Sequence, residues 1–327
     1  MVSERQLIDY IKGAAGKVPE RVEGIGDDCA VFGCREGCKQ LVSVDTLVEG
    51  VHFDLTWHGP RELGHKAAAV NISDIAAMGG KPCFALLSMA LPARLDFAWL
   101  TAFTEGFTAE LKEYGVVLVG GDTVASPAGL LLSVTIIGEA EEGRILYRSG
   151  AGVDDVIMVS GSLGDAALGL KLCREGRQAS WPQLTAAHLT PRPEVALGRH
   201  LAAAGSGVTA MLDMSDGLAT DLAHMCAASG LGARINADWL PISVSARQAA
   251  LDLEIDVLDS ALGGGEDYRL LFTCPAAAEE DLRREVKAVL KRQIFRIGKM
   301  IPGCGVLLCG RDGERDVSFQ GYEHLTR

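Results

Sequence analysis

The pattern of hydrophobic and polar positions predicts alternating strands and helices in the first half of the chain. Four apolar or β-branched segments are predicted strands: QLVSVDT, FALLSMALP, VVLVGGD and GLLLSVTIIGEA, the first ending at Asp45 and the third at Asp122. A helix is predicted from Pro60 through GHKAAAVNISDIAAMGG, where Gly79 ends it, and a second one over LDFAWLTAFTEGFTAELKEYG. Ser3 with Gln6 forms a capping-box pattern, which predicts one more helix at the N-terminus.

The pattern restarts near residues 148–152, which we take as a domain boundary. Two strands, VIMVSG and TAMLDMSDG, are interleaved with helices over GDAALGLKL, PRPEVALGRHLAAAG and ATDLAHMCAASG, and a further strand, helix and strand follow. A chain of 327 residues exceeds what one compact core usually holds. We therefore predict an α/β protein of two domains, residues 1–148 and 149–327, with mixed sheets flanked by helices.

Composition and charge limit the classes of partner. The chain is 48% hydrophobic with a formal net charge of −12, which argues against binding a nucleic-acid backbone. The N-terminus MVSERQLIDYI is charged where a signal peptide is apolar, and the longest apolar stretch is about half a membrane span. Nine scattered cysteines lack a CxxC pair, so free thiols are favoured over a zinc site at Cys34 and Cys38. These features predict a cytoplasmic protein.

Acidic residues at apolar or glycine-rich positions are the candidate chemistry. Predicted strands end at Asp45, at Asp122 and in DMSD, and ligands gather at the carboxyl ends of strands in α/β sheets. The chain also carries GIGDD near its N-terminus and an acid in NISD, on one helix face with Ala67, Asn71 and Met78. Helix caps and turns explain single aspartates but do not require runs such as GDD, GGD and DMSD. Carboxylates without basic neighbours favour Mg²⁺ that bridges to substrate phosphates.

Familiar phosphate-binding motifs are absent from the sequence. It contains no GxxxxGK[ST], no GxGxxG and no protein-kinase signature set. Binding of nucleotide phosphates would therefore depend on acids, metal ions and glycine-loop amides.

The order of ten motifs resembles one family over nearly the whole chain. GIGDD, VSVDTLVEGVHF, GHKAAAVNISDIAAMGG, GGDT, RSGA, GSLGDAALGL, LDMSDGLATDL, GGGEDYRLLF, IGKM and GYEH together resemble the thiamine-monophosphate kinases. These belong to the superfamily of aminoimidazole ribonucleotide synthetase and selenophosphate synthetase. The acidic loops are shared across that superfamily, whereas VEGVHF, NISDIAAMG, SDGL and GGEDY together indicate the thiamine enzymes.

The resemblance implies an activity and a set of site residues. It implies a homodimer joined through the N-terminal ATP- and Mg²⁺-binding domains, a C-terminal domain that completes the site, and ATP-dependent phosphorylation of thiamine monophosphate to thiamine diphosphate. No dedicated catalytic base is expected, because the phosphate acceptor is already mostly ionised at neutral pH. The implied metal ligands are Asp28, Ser43, Val44, Asp45, Asp74, Asp122, Asp213 and Asp216, with Asp27 behind them. The implied ATP contacts are Gly121, Asp122, Arg148 and Ser215, and the implied substrate contacts are His52, Glu266 and Tyr322.

Three of these residues also have plain structural explanations. His52 fits a polar turn position, Glu266 fits a turn before a strand, and Tyr322 could pack the C-terminus down. Glycine neighbours of Glu266 favour close approach of a ligand, and an aromatic ring suits stacking on a cationic heterocycle. His58, His65, His188, His200, His224 and His324 are assigned to solvated or core positions.

Some positions depart from the family pattern, and two rival functions stay open. Val44 stands where the family commonly has Thr, so its metal contact would use the backbone carbonyl. GDTVAS lacks an Arg that the family often has, which is expected to weaken a phosphate contact. Leu325 stands where the family usually has Phe.

One alternative function is that of another ATP-dependent synthetase of the superfamily. The other is a non-catalytic nucleotide or divalent-cation sensor, which would have no need of His52, Glu266 and Tyr322.

Overall fold

The chain divides into two compact units. The computed structural model of the 327-residue chain describes residues 10–11, 13–14, 33, 35–203, 205–311 and 313–322. Unit 1 comprises Met1–Ile75 and Gly80–Gly143, and unit 2 comprises Ala76–Gly79 and Arg144–Arg327. Tyr10 and Ile11 are helical, but the cap predicted at Ser3 lies outside the described residues.

The described residues of unit 1 form a four-stranded sheet and two long helices. In chain order these are β1 (Cys38–Val48), α1 (Pro60–Ala77), β2 (Lys81–Pro92), α2 (Phe97–Glu113), β3 (Val117–Ser126) and β4 (Leu131–Glu141). The strand order is β1-β4-β2-β3. Only the β2–β3 pair is parallel within this sheet. Both helices and all four strands overlap the segments in which the hydrophobic pattern predicts them, although two strand ends differ.

Helices α1 and α2 cross at two glycines. A Cβ on Gly106 would stand 2.0 Å from the carbonyl oxygen of Arg61, and one on Gly64 would stand 2.1 Å from that of Phe103. The side chains of Phe103 and Phe107 are fully buried beside this crossing. Backbone-to-backbone approach therefore fixes where the helices meet, and it leaves no room for a larger residue.

The sheet of unit 1 has one buried and one open face. Leu41, Leu47 and Val134 are buried, and they alternate along β1 and β4 with partly exposed positions. On the opposite face the side chains of Val42 and Val44 are 65% and 59% exposed. This two-residue period is the pattern of an antiparallel sheet with one packed face.

Two strand ends differ from the prediction. Strand β1 does not end at Asp45, because its ladder with β4 continues to the pair Val48–Leu131. Strand β3 does not end at Asp122, because its ladder with β2 continues to the pair Ser126–Pro92. Both acids therefore lie within strands, where cross-strand pairing outweighs the low strand preference of Asp.

Unit 2 contains a second mixed sheet. Its strands are β5 (Val156–Val159), β6 (Ala210–Asp213), β7 (Gly232–Asn236), β8 (Leu270–Cys274), β9 (Phe295–Ile301), β10 (Val306–Gly310) and β11 (Gly313–Asp316). Their order is β11-β10-β7-β9-β5-β8-β6, in which only β10 and β7 are parallel neighbours. The residues of β5, β6 and β8 are all buried, as expected of strands covered on both faces.

Helices pack on both faces of this sheet. They are α3 (Asp165–Arg174), α4 (Pro182–Leu189), α5 (Val195–Leu201), α6 (Leu218–Ser229), α7 (Val244–Asp252), α8 (Val257–Gly263) and α9 (Glu279–Leu290). One core cluster joins α6 and α8 to the sheet, and another joins α5 and α9. The predicted α/β class, with mixed sheets flanked by helices, is confirmed. In the described part of the chain no helix is long and apolar enough to cross a membrane.

Candidate functional site

In unit 1 the predicted ligands of β1 and α1 lie together. The hydroxyl of Ser43 donates to Oδ2 of Asp74 at 2.6 Å, and the backbone N–H of Asp45 donates to Oδ1 of Asn71 at 3.1 Å. Asn71 is fully buried, and its amide nitrogen donates to the carbonyl of Ala67 at 2.9 Å. The helix face seen in the sequence therefore lines the inner side of β1. Asn71 was outside the predicted site, and it holds β1 against α1 through its oriented amide.

His52 lies in the turn that follows β1. Its Nδ1 accepts the N–H of Val48 at 3.0 Å, and its own N–H donates to the carbonyl of Val48 at 3.0 Å. A neutral imidazole that accepts at Nδ1 carries its proton on Nε2. The turn thus fixes both the position and the tautomer of the ring, and that ring presents a nitrogen donor.

Asp122 and Asp45 belong to different cross-strand rows of the sheet. Asp122 pairs with Ser88 of β2, Ser88 pairs with Ser133 of β4, and Ser133 pairs with Thr46 of β1. Asp45 pairs with Val134 in the adjacent row, whose side chains face the other side of the sheet. The ladder therefore brings Asp122 into a polar row with Thr46 and does not group it with Asp45.

Gly121 and Val44 have simple structural explanations. A Cβ on Gly121 would stand 1.9 Å from the carbonyl oxygen of Leu87 on the neighbouring strand, so only glycine fits there. Val44 pairs with Thr135 of β4 and presents its side chain on the open face. These packing reasons are independent of any ligand.

In unit 2 three separate segments of the predicted site converge. The N–H of Glu266 donates to the carbonyl of Ser215 at 2.8 Å, and the N–H of Tyr322 donates to the carbonyl of Asp216 at 2.9 Å. Gly217, with φ at +109°, follows directly, and a Cβ there would stand 3.0 Å from the backbone of Gly263. Backbone hydrogen bonds at the end of β6 thus join the residues of this unit that are predicted to contact nucleotide, metal and substrate.

Three acids lie at the start of helix α6. Asp213 ends β6 and is buried, Asp216 follows, and Oδ2 of Asp221 accepts the N–H groups of Asp216 and Gly217 at 3.1 and 3.0 Å. Burial, followed by repulsion from Asp216 and Asp213, raises the pKa of Asp221 to about 8, although the two backbone donors act in the opposite direction. Mutual repulsion of this kind is relieved by a cation. Asp221 was missing from the predicted set, although it follows the SDG motif by four residues in LATDL.

Glu266 and Asp267 have different partners. Oε2 of Glu266 lies 2.8 Å from Nδ1 of His188, a side chain on α4 that is 1% exposed. The two oxygens of Asp267 accept the N–H groups of Gly164 and Ala166 at 2.6 and 3.1 Å, at the start of α3. Burial of the carboxyl group raises the pKa of Asp267 to about 7. Asp267 is therefore a cap, and Glu266 is the acid of this pair that can face a ligand.

Arg148 lies on the surface near the start of β6. Its carbonyl accepts the hydroxyl of Ser229 at 3.5 Å, and the adjacent Tyr147 carbonyl accepts the N–H of Met211 at 2.8 Å. These bonds place the RSGA segment beside the strand that carries Asp213. The guanidinium is exposed, as a phosphate contact would require.

Asp27 and Asp28 lie outside the described residues. Among the residues that are described, no three His, Cys, Asp or Glu side chains converge as a ready-made metal cage. The donors in both units are oxygen atoms of Asp and Ser, which suit a hard cation such as Mg²⁺. Mg²⁺ usually binds through one or two carboxylates together with water and substrate phosphates, so this donor set fits it.

Comparison with known proteins identifies relatives over nearly the whole chain. Residues 26–140 match the family described as AIR synthase related protein, N-terminal domain, and residues 152–308 match its C-terminal domain. The chain is 40% identical to the thiamine-monophosphate kinase of Salmonella typhimurium over 313 residues, covering 93% of this chain and 92% of the relative. The resemblance found in the sequence is thereby confirmed.

Solved structures give the same result for the fold. The thiamine-monophosphate kinase of Stenotrophomonas maltophilia K279a matches with a TM-score of 0.83 and 38% identity, covering 94% of this chain and 96% of that one. AaThiL complexed with AMPPCP and TMP matches with a TM-score of 0.75 and 30% identity, covering 93% of each chain. The two-domain fold of these proteins is therefore also the fold of this chain.

Proposed function

Because the chain belongs to the thiamine-monophosphate kinase family, we propose that it phosphorylates thiamine monophosphate to thiamine diphosphate with ATP. The observation that carries this proposal is the similarity to AaThiL, a relative solved with AMPPCP, an ATP analogue, and TMP. It is supported in unit 2 by the convergence of Ser215, Asp216, Glu266 and Tyr322, which the family resemblance assigns to nucleotide, metal and substrate.

The proposed reaction needs alignment rather than a strong base. A phosphate oxygen of thiamine monophosphate attacks the γ-phosphorus of ATP, and the bond from that phosphorus to the β–γ bridging oxygen breaks, so that ADP leaves. The attacking phosphate has a second pKa of about 6 and is mostly ionised at neutral pH. The enzyme must then hold two anionic groups in line and offset their repulsion.

We assign the charge-neutralising role to Mg²⁺ held by the acids of each unit. In unit 1 the proposed ligands are Ser43, Val44, Asp45, Asp74 and Asp122, with Asp28 from the preceding segment. In unit 2 they are Asp213 and Asp216. When bound, Mg²⁺ would neutralise phosphate charge and favour in-line geometry. The bond from Ser43 to Asp74 and the bond from Asp45 to the oriented amide of Asn71 hold these three ligands in place before any ion binds, whereas Asp122 lies in a different row of the sheet.

The remaining proposed contacts divide between nucleotide and substrate. Gly121, Asp122, Arg148 and Ser215 are assigned to ATP, and His52, Glu266 and Tyr322 to thiamine monophosphate. The side chain of Tyr322 is 47% exposed while its N–H is bonded to Asp216, so a ring is presented on a fixed backbone. An aromatic face and a carboxylate both suit the cationic heterocycle of thiamine.

We also propose a cytoplasmic homodimer. Free cysteines in the described residues, including exposed Cys304, fit a reducing compartment. On the open face of the unit 1 sheet, Val42 pairs with half-buried Ile137 and that residue with Phe84, which makes an apolar row across three strands. An apolar sheet face of this kind favours contact with a second copy of the chain.

The substrate assignment is tested by product analysis. Purified protein with ATP and Mg²⁺ should release ADP and thiamine diphosphate when thiamine monophosphate is added. Free thiamine should be a poor acceptor, because its neutral hydroxyl needs a base and the proposed reaction assigns no residue to that role. Equal rates with thiamine and with its monophosphate would refute the proposed function.

A further inference from the structure

Glu266 has a backbone conformation that is unusual for its residue type. Its φ is +67°, and that of Tyr268 is +47°, both in the left-handed region that non-glycine residues rarely occupy. The hydrogen bond from its N–H to Ser215 holds this conformation. Such backbone persists where the surroundings fix it, commonly where a side chain must be directed at a ligand.

The carboxylate of Glu266 is paired with a buried histidine. Nδ1 of His188 lies 2.8 Å from Oε2 of Glu266, and the exposed fractions of the two side chains are 1% and 22%. The imidazole is therefore on the protein side of the pair, and the carboxylate reaches from it toward solvent. A close polar contact with a buried side chain can restrict the rotamers of a partly exposed glutamate.

Helix α4 holds His188 rigidly. The helix passes so close to α3 that a Cβ on Gly169 would stand 2.1 Å from the carbonyl oxygen of Leu184 and 3.1 Å from Cβ of His188. At the end of the helix, the hydroxyl of Thr190 donates to the carbonyl of Ala186 at 3.0 Å. The imidazole is thus a fixed point against which the Glu266 side chain can be oriented.

The charged neighbours of Glu266 in the chain are bonded elsewhere. Asp267 caps α3 with both of its oxygens, and Nη1 of Arg269 binds Oε1 of buried Glu194 at 3.0 Å. Each of these side chains secures a helix or loop of unit 2. The side chain of His188, by contrast, contacts Glu266 itself.

We propose that His188 is a positioning residue, which orients the Glu266 carboxylate through Nδ1 for contact with the cationic heterocycle of thiamine monophosphate. The inference rests on the proposed function, since it deepens the role of Glu266 as a substrate contact. Preorganised side chains lose less conformational entropy on binding, so the pair should lower KM for this substrate. It should leave the phosphoryl-transfer step and ATP binding unchanged.

The test compares two substitutions of His188. His188→Leu keeps bulk and removes the nitrogen, whereas His188→Asn places an amide nitrogen close to the position of Nδ1. His188→Leu should raise KM for thiamine monophosphate at least about tenfold, with kcat and KM for ATP within about twofold of wild type. His188→Asn should restore most of the loss. Calorimetric titration with thiamine monophosphate should show the same order of affinities.

A matched control and a double-mutant cycle separate positioning from folding. His65 forms a similar pair in unit 1, its Nδ1 lying 2.9 Å from Oε2 of Glu110, so His65→Leu should leave KM for thiamine monophosphate unchanged. Glu266→Gln should itself raise that KM, and adding His188→Leu to it should cost little more. Additive effects in the double variant, equal losses in His188→Leu and His188→Asn, or a wild-type KM in His188→Leu would overturn the positioning role alone. A wild-type KM in Glu266→Gln would refute the substrate role of Glu266 and the inference with it.

Discussion

At the scale of single residues, two acids of unit 2 have raised pKa values but different bonding. Asp221 accepts two backbone N–H groups with one oxygen, beside Asp213 and Asp216. Asp267 also accepts two backbone N–H groups, one with each of its oxygens, at the start of α3. Burial favours the neutral form of each carboxyl group, whereas its backbone N–H donors favour the charged form. The two effects on each pKa therefore oppose one another. Two acids, Asp216 and Asp213, help to raise the pKa of Asp221, whereas Asp267 has one such neighbour, Asp165, which is opposed by Arg269.

Asp267 should make the stability of the protein fall as pH rises. Its pKa is raised from 3.8 to about 7, so the folded state binds the proton more tightly than the unfolded state. Its stabilising contribution is complete below about pH 4 and is lost as pH rises through about 7. The side chain in Asp267→Asn cannot ionise, and its amide has one acceptor oxygen, whereas the wild-type carboxyl group accepts the two N–H groups with two oxygens. Urea unfolding at pH 5 should show that wild type is more stable than Asp267→Asn. The difference between their free energies of unfolding should narrow by up to about 1.4 kcal/mol per pH unit toward pH 7.

The exposed Asp259→Asn is the control for this comparison, and its curve should run parallel to wild type. A gap between wild type and Asp267→Asn that stays constant from pH 5 to pH 8 would mean that Asp267 does not titrate in this range.

At the scale of elements, the hydrophobic pattern predicted secondary structure correctly where a segment is uniformly apolar or is bounded by Pro and Gly. Apolar or β-branched segments predicted β2 and β4, and Pro60 and Gly79 correctly bracketed α1. Strands β1 and β3 were predicted too short, because Asp45 and Asp122 are held in place by ladder partners that lie far away in sequence. Helix α4 was missed, since Thr185 and His188 occupy buried positions and break its apolar stripe.

The acids of the candidate site could be selected from sequence, but their grouping could not. The runs GGD and DMSD singled out Asp122, Asp213 and Asp216, yet the row that separates Asp122 from Asp45 depends on strand register. The role of His188 depends on a contact between residues far apart in the chain, which no local pattern encodes.

The glycine crossing of α1 and α2 predicts a large effect of one methyl group. Gly106→Ala would place a Cβ 2.0 Å from the Arg61 carbonyl, so the helices must separate. We expect a loss of about 2–4 kcal/mol in the free energy of unfolding. Gly120→Ala in the same unit is the control, because its Cβ would meet Leu86 at an ordinary 3.4 Å. If both variants melt at the wild-type temperature, the close approach of the helices is wrong.

At the scale of the whole molecule, the open face of the unit 1 sheet carries several exposed apolar side chains. Val42 and Val44 on β1 and Val124 on β3 are more than half exposed, although β-branched residues favour packed positions. A homodimer that covers this face would remove it from water. Burial of such a face would contribute roughly 25 cal/mol for each Å² of apolar surface.

Val42→Asp should therefore weaken self-association. Wild type should sediment as two chains of 34.5 kDa each, and the variant should shift toward one chain at micromolar concentration. Leu251→Asp is the control, because Leu251 is 78% exposed on α7 of unit 2. A wild-type protein that sediments as a monomer, or a dimer that resists Val42→Asp, would exclude this face as the dimer contact.

The most direct test of the acidic site is a calorimetric titration of Mg²⁺ with and without a non-hydrolysable ATP analogue. Asp213 and Asp216 each repel Asp221 in the absence of a cation, so Mg²⁺ alone should bind loosely to wild type. The analogue should strengthen Mg²⁺ binding at least about tenfold, and Mg²⁺ should strengthen binding of the analogue by the same factor. In Asp213→Asn this coupling should be largely lost while the melting temperature holds or rises. An unchanged Mg²⁺ affinity in the presence of the analogue, or full coupling in Asp213→Asn, would contradict the assignment of these acids to a nucleotide-bound cation.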